Sequence, residues 1–103
     1  MSPAIRLRLS DQAQRDLVRL EQFLFDRGDA LAQSLFDHLL DGLHVLTHQP
    51  GIGRPVGAGL RELIVSRGKG GYLALYAFDV AQQTVWVLRI RHQREAGYDD
   101  DEV

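Results

Sequence analysis

The sequence predicts an α+β domain in which two helices pack on one face of an antiparallel sheet, with the element order β-α-α-β-β-β. Leucines recur at helical spacing in two consecutive segments that end at about residues 28 and 49. Three apolar and β-branched runs then follow one another with short turns between them. Because a sheet face must cover the two leucine stripes, we expect a two-layer domain whose other sheet face is free for function.

The first strand and the two helices follow from apolar spacing and capping residues. Residues 5–9 alternate apolar and arginine side chains, which is strand spacing. Ser10 supplies an N-cap and Gly28 a C-terminal stop for the first helix, and Asp29 caps the second. The two stripes are Ala13, Leu17, Leu20 and Leu24, then Leu35, Leu39, Leu43 and Leu46. A connection this short predicts an antiparallel helical hairpin.

The remaining strands are predicted at about residues 60–67, 71–79 and 83–92. Gly-rich and polar turns of hairpin length separate them, so the three strands should form an antiparallel meander. The preceding loop, 51–59, contains four glycines. They are a weak signal for a phosphate-binding loop, since no helix N-terminus follows them, and we expect them to let the chain turn tightly into the next strand.

Length and composition limit the function classes. At 103 residues the chain is long enough for one domain, which we place at residues 1–94 with an acidic tail at 95–103. The absence of cysteine excludes a disulfide framework and a cysteine-ligated metal. No apolar stretch is long enough for a signal peptide or a membrane span. We therefore expect a cytoplasmic protein without a membrane association, a metal or another cofactor.

Charge is unevenly distributed along the chain. Residues 1–53 carry five arginines against seven acidic residues, whereas residues 54–94 carry seven cations against two acids, a balance of +5. The nine residues of the tail add −5. This asymmetry indicates an anionic partner for the second half. The tail is either a solvated terminus or an internal competitor for that partner.

The predicted target-binding residues are arginines, whose planar guanidinium binds carboxylate or phosphate through two bonds. We assign Trp86, Leu88, Ile90 and His92 to the core side of the last strand. By alternation, Arg89 and Arg91 should leave the opposite face, away from the helices and near Arg61. The full predicted set is Arg54, Arg61, Arg89, Arg91 and Arg94.

Two further patterns lie on the helices. Val18 and Phe25, seven residues apart on one flank of the first helix, form an apolar strip that either contacts a partner or packs under the chain's own loops. Asp37, Asp41, His44 and His48 follow a spacing that could bind a divalent metal. The same spacing is typical of a solvated helix face, which is the interpretation we favour because no further ligand is evident.

Five sequence segments together resemble one protein family. They are Ser10-x-x-Ala13-x-x-Asp16-Leu17, Pro50-Gly51-x-Gly53-Arg54-Pro55-Val56, Arg61-Glu62-Leu63, Tyr72 to Tyr76, and Val87-Leu88-Arg89-Ile90-Arg91-His92. In this order they are similar to the ParE branch of the RelE/ParE toxin superfamily, over about residues 5–94. The resemblance implies the toxin of a type II toxin–antitoxin module for plasmid stabilisation, which forms a hetero-oligomer with a ParD-like antitoxin.

The branches of that superfamily imply different mechanisms. The ParE branch is associated with inhibition of DNA gyrase without catalysis, and the RelE branch with ribosome-dependent cleavage of messenger RNA. Similar ribonucleases carry an arginine where this chain has Leu73, and an apolar side chain cannot stabilise phosphate charge. We therefore predict no catalytic residues and DNA gyrase as target. The alternatives are an endoribonuclease that uses residues such as His92 and Tyr98, and a non-toxic stabilising partner.

Overall fold

A computed structural model describes residues 4–67 and 70–95, and of these the side chains of 66, 67 and 70 are excepted. Helices α1 (Asp11–Asp26) and α2 (Leu35–Leu43) form one layer. The other layer is a sheet of five strands: β1 (Arg6–Leu9), β2 (Arg54–Gly57), β3 (Leu60–Arg67), β4 (Gly70–Asp79) and β5 (Thr84–His92). The predicted α+β class is confirmed.

The strands lie in the order β1-β5-β4-β3-β2. Strands β3, β4 and β5 form the predicted antiparallel meander. Strand β1 joins β5 in parallel, so the sheet is mixed. Strand β2 pairs with β3 inside the segment expected to be a loop. Its four residues, which include a proline and a glycine, show no alternation of apolar and polar side chains that would predict a strand. All four are exposed in the structure.

Helix α1 begins and ends as its capping residues predict. The Ser10 hydroxyl accepts a hydrogen bond from the Ala13 N–H at 3.1 Å and donates one to the Leu88 carbonyl at 2.9 Å. The same side chain therefore caps the helix and fixes it to β5. Gly28, with φ of 68°, occupies the left-handed region after the last turn.

The second helical segment is less regular than expected. A 3₁₀ turn over Ala30–Ser34 precedes α2, and another over His44–Thr47 follows it. All four leucines of the predicted stripe are nevertheless buried. Gly42 lies on β3, where a Cβ atom would clash with Cγ1 of Val65. This close approach sets the distance between helix and sheet.

The core lies between the helices and one sheet face. Its strand residues are Val65, Tyr72, Ala74, Tyr76, Val85, Val87 and Ile90. Val85 and Val87 point to the core in alternation, but the next buried residue is Ile90, because Leu88 has no partner between the Val87–Tyr76 and Arg89–Leu75 pairs. This β-bulge changes the phase of the strand. The assignment of Trp86 to the core side was therefore wrong, and its side chain is 38% exposed.

The described residues contain no helix that is both long and apolar enough to span a membrane.

Candidate functional site

Asp16 is a buried carboxylate on α1 and the centre of an ionic network against β5. Its Oδ2 accepts hydrogen bonds from the Ile90 N–H at 2.8 Å and from Nε of Arg89 at 2.9 Å. A second nitrogen of Arg89 lies 3.3 Å from Oδ1, so the guanidinium is bound at two points. Strand β1 pairs with β5 only as far as Val87, and Asp16 satisfies a backbone donor on the edge beyond it.

Arg89 does not lie on the free face of the sheet, and that prediction was wrong. Its side chain is 14% exposed and turns over the edge of β5 towards α1. Alternation does start the Arg89 side chain on the face opposite the helices, since Arg89 pairs with Leu75 and precedes the core residue Ile90. Strand β1 does not cover this part of β5, so the long side chain folds over the open edge and its guanidinium reaches Asp16. Asp16 was named in the sequence only as part of a family segment, and its role as the buried partner of Arg89 was not predicted. The signal was present, because position 16 falls within the apolar stripe of α1, where a carboxylate needs a partner.

Glu95, the first residue of the predicted tail, extends the same network. Its Oε2 accepts from Arg19 at 3.0 Å and its Oε1 from the His92 N–H at 2.9 Å. Nη1 of Arg91 donates to the Glu95 carbonyl at 2.8 Å. Together these bonds hold the turn after β5 against α1. Residues 96–103 lie outside the described part of the chain, so the division at residue 94 stays a prediction.

Arg61 lies on the helix side of the sheet and supports the loop before β2. It pairs with the core residue Tyr76 across the ladder, and its Nη1 donates to the Gly53 carbonyl at 2.8 Å. The buried hydroxyl of Tyr76 accepts from the Gly53 N–H at 2.8 Å and donates to the Pro50 carbonyl at 2.7 Å. Gly53 is thus held through both its N–H and its C=O.

The five predicted target-binding arginines do not form one surface. Arg54 pairs with Glu62 at 2.7 Å on the face opposite the helices, and Arg91 lies on that face beside Leu73. Arg61 is on the other face and Arg89 is at the edge. The exposed Arg94 donates its N–H to Nδ1 of His92 at 3.1 Å. The residues that contact the target therefore stay a prediction, and the expected grouping of Arg61 with Arg89 and Arg91 was wrong.

Val18 and Phe25 are exposed by 64% and 68%, so they do not pack under the described loops. They line one open groove of about 270 Å³ between α1 and the following 3₁₀ turn. The other lining residues are Glu21, Gln22, Ala32 and Gln33. Apolar walls with polar residues between them can accept an amphipathic helix.

Leu73 and His92, the described residues considered for a catalytic role, both contact other residues of the fold. Leu73 is buried and pairs with Arg91 on the face opposite the helices. The His92 ring stands edge-on to Tyr72, with ring centroids 5.2 Å apart, while Nδ1 is occupied by the Arg94 N–H. Tyr98 lies outside the described residues. Within residues 4–67 and 70–95, no three His, Asp or Glu side chains gather as a group that could hold a metal.

Comparison with known families identifies the chain's relatives. Residues 7–97 match the family model described as the ParE toxin of the type II toxin–antitoxin system, parDE. The chain belongs to the ParE toxin family. Toxin RelE3 of Caulobacter vibrioides is 34% identical over 87 residues, which cover 84% of this chain and 92% of that protein.

Solved structures place this ParE family member in the same fold. The chromosomal ParDE system from P. aeruginosa aligns with a TM-score of 0.68 at 22% identity, covering 86% of this chain and 96% of that one. The RelBE2 toxin–antitoxin complex from Mycobacterium tuberculosis aligns with a TM-score of 0.56 at 23% identity, covering 92% and 98%. At these identities the likeness shows the fold alone.

Proposed function

We propose that this ParE family member inhibits DNA gyrase by binding it in the cytoplasm, without catalysis, and that a ParD-like antitoxin neutralises it. The observation that carries the non-catalytic part is Leu73. It is buried, apolar, and adjacent to Arg91 in the sheet. Stabilising the charge of an in-line phosphate requires a cation, and a buried leucine cannot supply one.

The antitoxin contact is proposed at the groove of Val18 and Phe25. Two large exposed apolar side chains on one flank of α1 leave an unfavourable surface in water. An amphipathic helix from the antitoxin would bury both. The solved ParDE and RelBE2 neighbours are described as toxin–antitoxin systems, which supports a hetero-oligomeric assembly here.

The alternative is a ribosome-dependent endoribonuclease, and one finding favours it. The 34% identical relative is named Toxin RelE3. For this chain to cleave RNA, other residues would have to provide the base and the phosphate-stabilising cation. His92 is the described candidate for the base, yet its Nδ1 is already used within the turn after β5.

Two assays on the purified protein distinguish these functions. In the first, gyrase supercoils relaxed plasmid with increasing toxin, and we expect supercoiling to fall. In the second, a translating ribosome extract is incubated with toxin, and we expect the message to stay intact. Antitoxin added at equal concentration should restore supercoiling. Message cleavage with unaffected supercoiling would establish the endoribonuclease instead.

Leu73→Arg is an informative companion variant for the second assay. It restores a cation at the position that similar ribonucleases use. If Leu73 alone prevents cleavage, the variant should gain cleavage activity. If other parts of that site are also missing, the variant should remain inactive, as we expect from the engaged Nδ1 of His92.

A further inference from the structure

Arg6 and Arg8 on β1 differ from the arginines of the predicted target-binding set. Both are exposed, and neither side chain makes a hydrogen bond or ion pair with another described residue. Arg54, Arg61 and Arg89, by contrast, are each bound to a carboxylate or a carbonyl. A cation with no internal partner can give its full charge to an external ligand.

The two arginines share a sheet face with the chain's single tryptophan. Leu7 and Leu9 point to the core, so Arg6 and Arg8 point away from the helices. Arg8 pairs with Trp86 in the β1–β5 ladder, and paired residues have their side chains on one face. Arg6 is two residues further along, about 6.6 Å at the usual rise of a strand. Ala77, paired with Trp86 on β4, adds little bulk beside the indole.

We propose that Arg6, Arg8 and Trp86 form a binding surface for single-stranded nucleic acid. The guanidiniums would bind neighbouring phosphates, and the 38% exposed indole would stack on a base. The arginine spacing is comparable with the separation of successive phosphates along a strand. An acidic peptide would satisfy the charges but offers no flat ring for the indole, so the nucleic acid fits better.

This surface is on the sheet face opposite the helical layer that carries the Val18 groove, and the inference does not depend on gyrase being the target. It ends at Asp79, an exposed carboxylate that pairs with Thr84, the neighbour of Arg6. The negative charge of Asp79 repels phosphate groups. We therefore expect the bound nucleic acid to extend from Arg6 towards Arg8 and Trp86, away from Asp79.

The single tryptophan gives a direct test by fluorescence titration. Oligothymidylate and oligouridylate of twelve nucleotides separate DNA from RNA, and hexaglutamate tests an acidic peptide. We expect at least one oligonucleotide to quench the emission in a saturable manner, and hexaglutamate to leave it unchanged. Equal quenching by hexaglutamate, or no quenching by either oligonucleotide, would overturn the proposal.

Variants locate the binding. Arg6→Gln with Arg8→Gln should weaken oligonucleotide binding at least tenfold, and should reduce the slope of log affinity against log salt by about 1.4. The matched control is Arg15→Gln with Arg27→Gln, which removes the same charge from an exposed position on α1 and from its exposed C-cap. Equal weakening in the control would mean that net charge, not this surface, binds the strand.

Trp86→Ala separates stacking from charge. With a labelled oligonucleotide and anisotropy detection, we expect affinity to fall by roughly five- to 150-fold, the range for loss of one aromatic–base stack, with the salt slope unchanged. Thermal unfolding of each variant verifies that the fold is retained. Unchanged affinity in a folded Trp86→Ala variant would contradict the proposed stacking.

Discussion

Asp16 is a buried carboxylate whose charge needs hydrogen-bond partners within the protein. It is removed from water and depends on Arg89 and the Ile90 N–H for stabilisation. A paired buried charge need not stabilise a protein more than an apolar pair would, but removing one partner leaves an uncompensated charge. Arg89 is therefore a structural residue as well as a predicted contact for the target.

Arg89→Ala is predicted to lower the free energy of unfolding by about 3 kcal/mol, because Asp16 then loses both guanidinium bonds. The measurement is urea denaturation at neutral pH. Arg94→Ala, which removes an exposed arginine, should change it by under about 0.5 kcal/mol. Adding Asp16→Asn to Arg89→Ala should cost less than the two single changes combined. Equal effects of the two arginine variants would contradict the buried-pair interpretation.

Gly53 and Gly51 differ in the space that each leaves for an added methyl group. A Cβ atom at position 53 would lie 2.5 Å from the hydroxyl of Tyr76, whereas nothing lies within 4 Å of one at position 51. Gly53→Ala should therefore destabilise the fold by about 1–3 kcal/mol through overpacking. Gly51→Ala should be neutral or slightly stabilising. Thermal unfolding of both variants measures this, and similar melting temperatures would show that the loop adapts freely.

At the scale of elements, the sequence predicts the parts whose burial depends on local periodicity. Both leucine stripes and the three meander strands are present, because spacing alone decides which side of a helix or hairpin is apolar. Spacing alone did not predict which face of the sheet each side chain of β5 occupies. Val85 and Val87 form one apolar set and Trp86, Leu88 and Ile90 another, and only the bulge at Leu88 decides between them.

The contact between α2 and β3 is the next prediction. Gly42→Ala should destabilise the protein even though alanine favours helix over glycine by about 1 kcal/mol, because the new Cβ would clash with Cγ1 of Val65. Val65→Ala removes that atom. The double variant should therefore be more stable than Val65→Ala alone. If Gly42→Ala lowers the stability of both backgrounds equally, the clash is not the cause.

At the scale of the whole molecule, the two layers carry different surfaces. The helical layer presents the apolar groove of Val18 and Phe25. The opposite face of the sheet presents Arg6 and Arg8 of β1, whose side chains form no ion pair or hydrogen bond with another residue in the described part of the chain. The seven-residue spacing of Val18 and Phe25 predicted the apolar groove, whereas the cationic surface on β1 was not predicted. The excess of arginine in residues 54–94 predicted a binding surface that includes β5. In the structure, Arg89 and Arg91 of β5 instead bind the Asp16 carboxylate and the Glu95 carbonyl of the same chain.

None of the five predicted target-binding arginines lines the groove of Val18 and Phe25, so we expect neutralisation and toxicity to be separable by mutation. Val18→Ser with Phe25→Ser should leave the fold intact, since both side chains are mostly exposed. Loss of their burial at the interface should weaken antitoxin binding by about 3 kcal/mol, roughly a hundredfold or more. Growth inhibition should persist and should no longer be relieved by co-expressed antitoxin. Calorimetry with the protein encoded beside this toxin measures the affinity directly.

The control for that experiment is Ile64→Ser with Val80→Ser. These residues are also exposed and apolar, at 58% and 67%, but they lie on β3 and in the turn after β4. The control should bind antitoxin as the parent does, because it removes a similar apolar area away from the groove. If the control loses affinity while the groove variant keeps it, the antitoxin binds the sheet layer. The groove would then not be the neutralisation site, and substitutions in it would not separate toxicity from neutralisation.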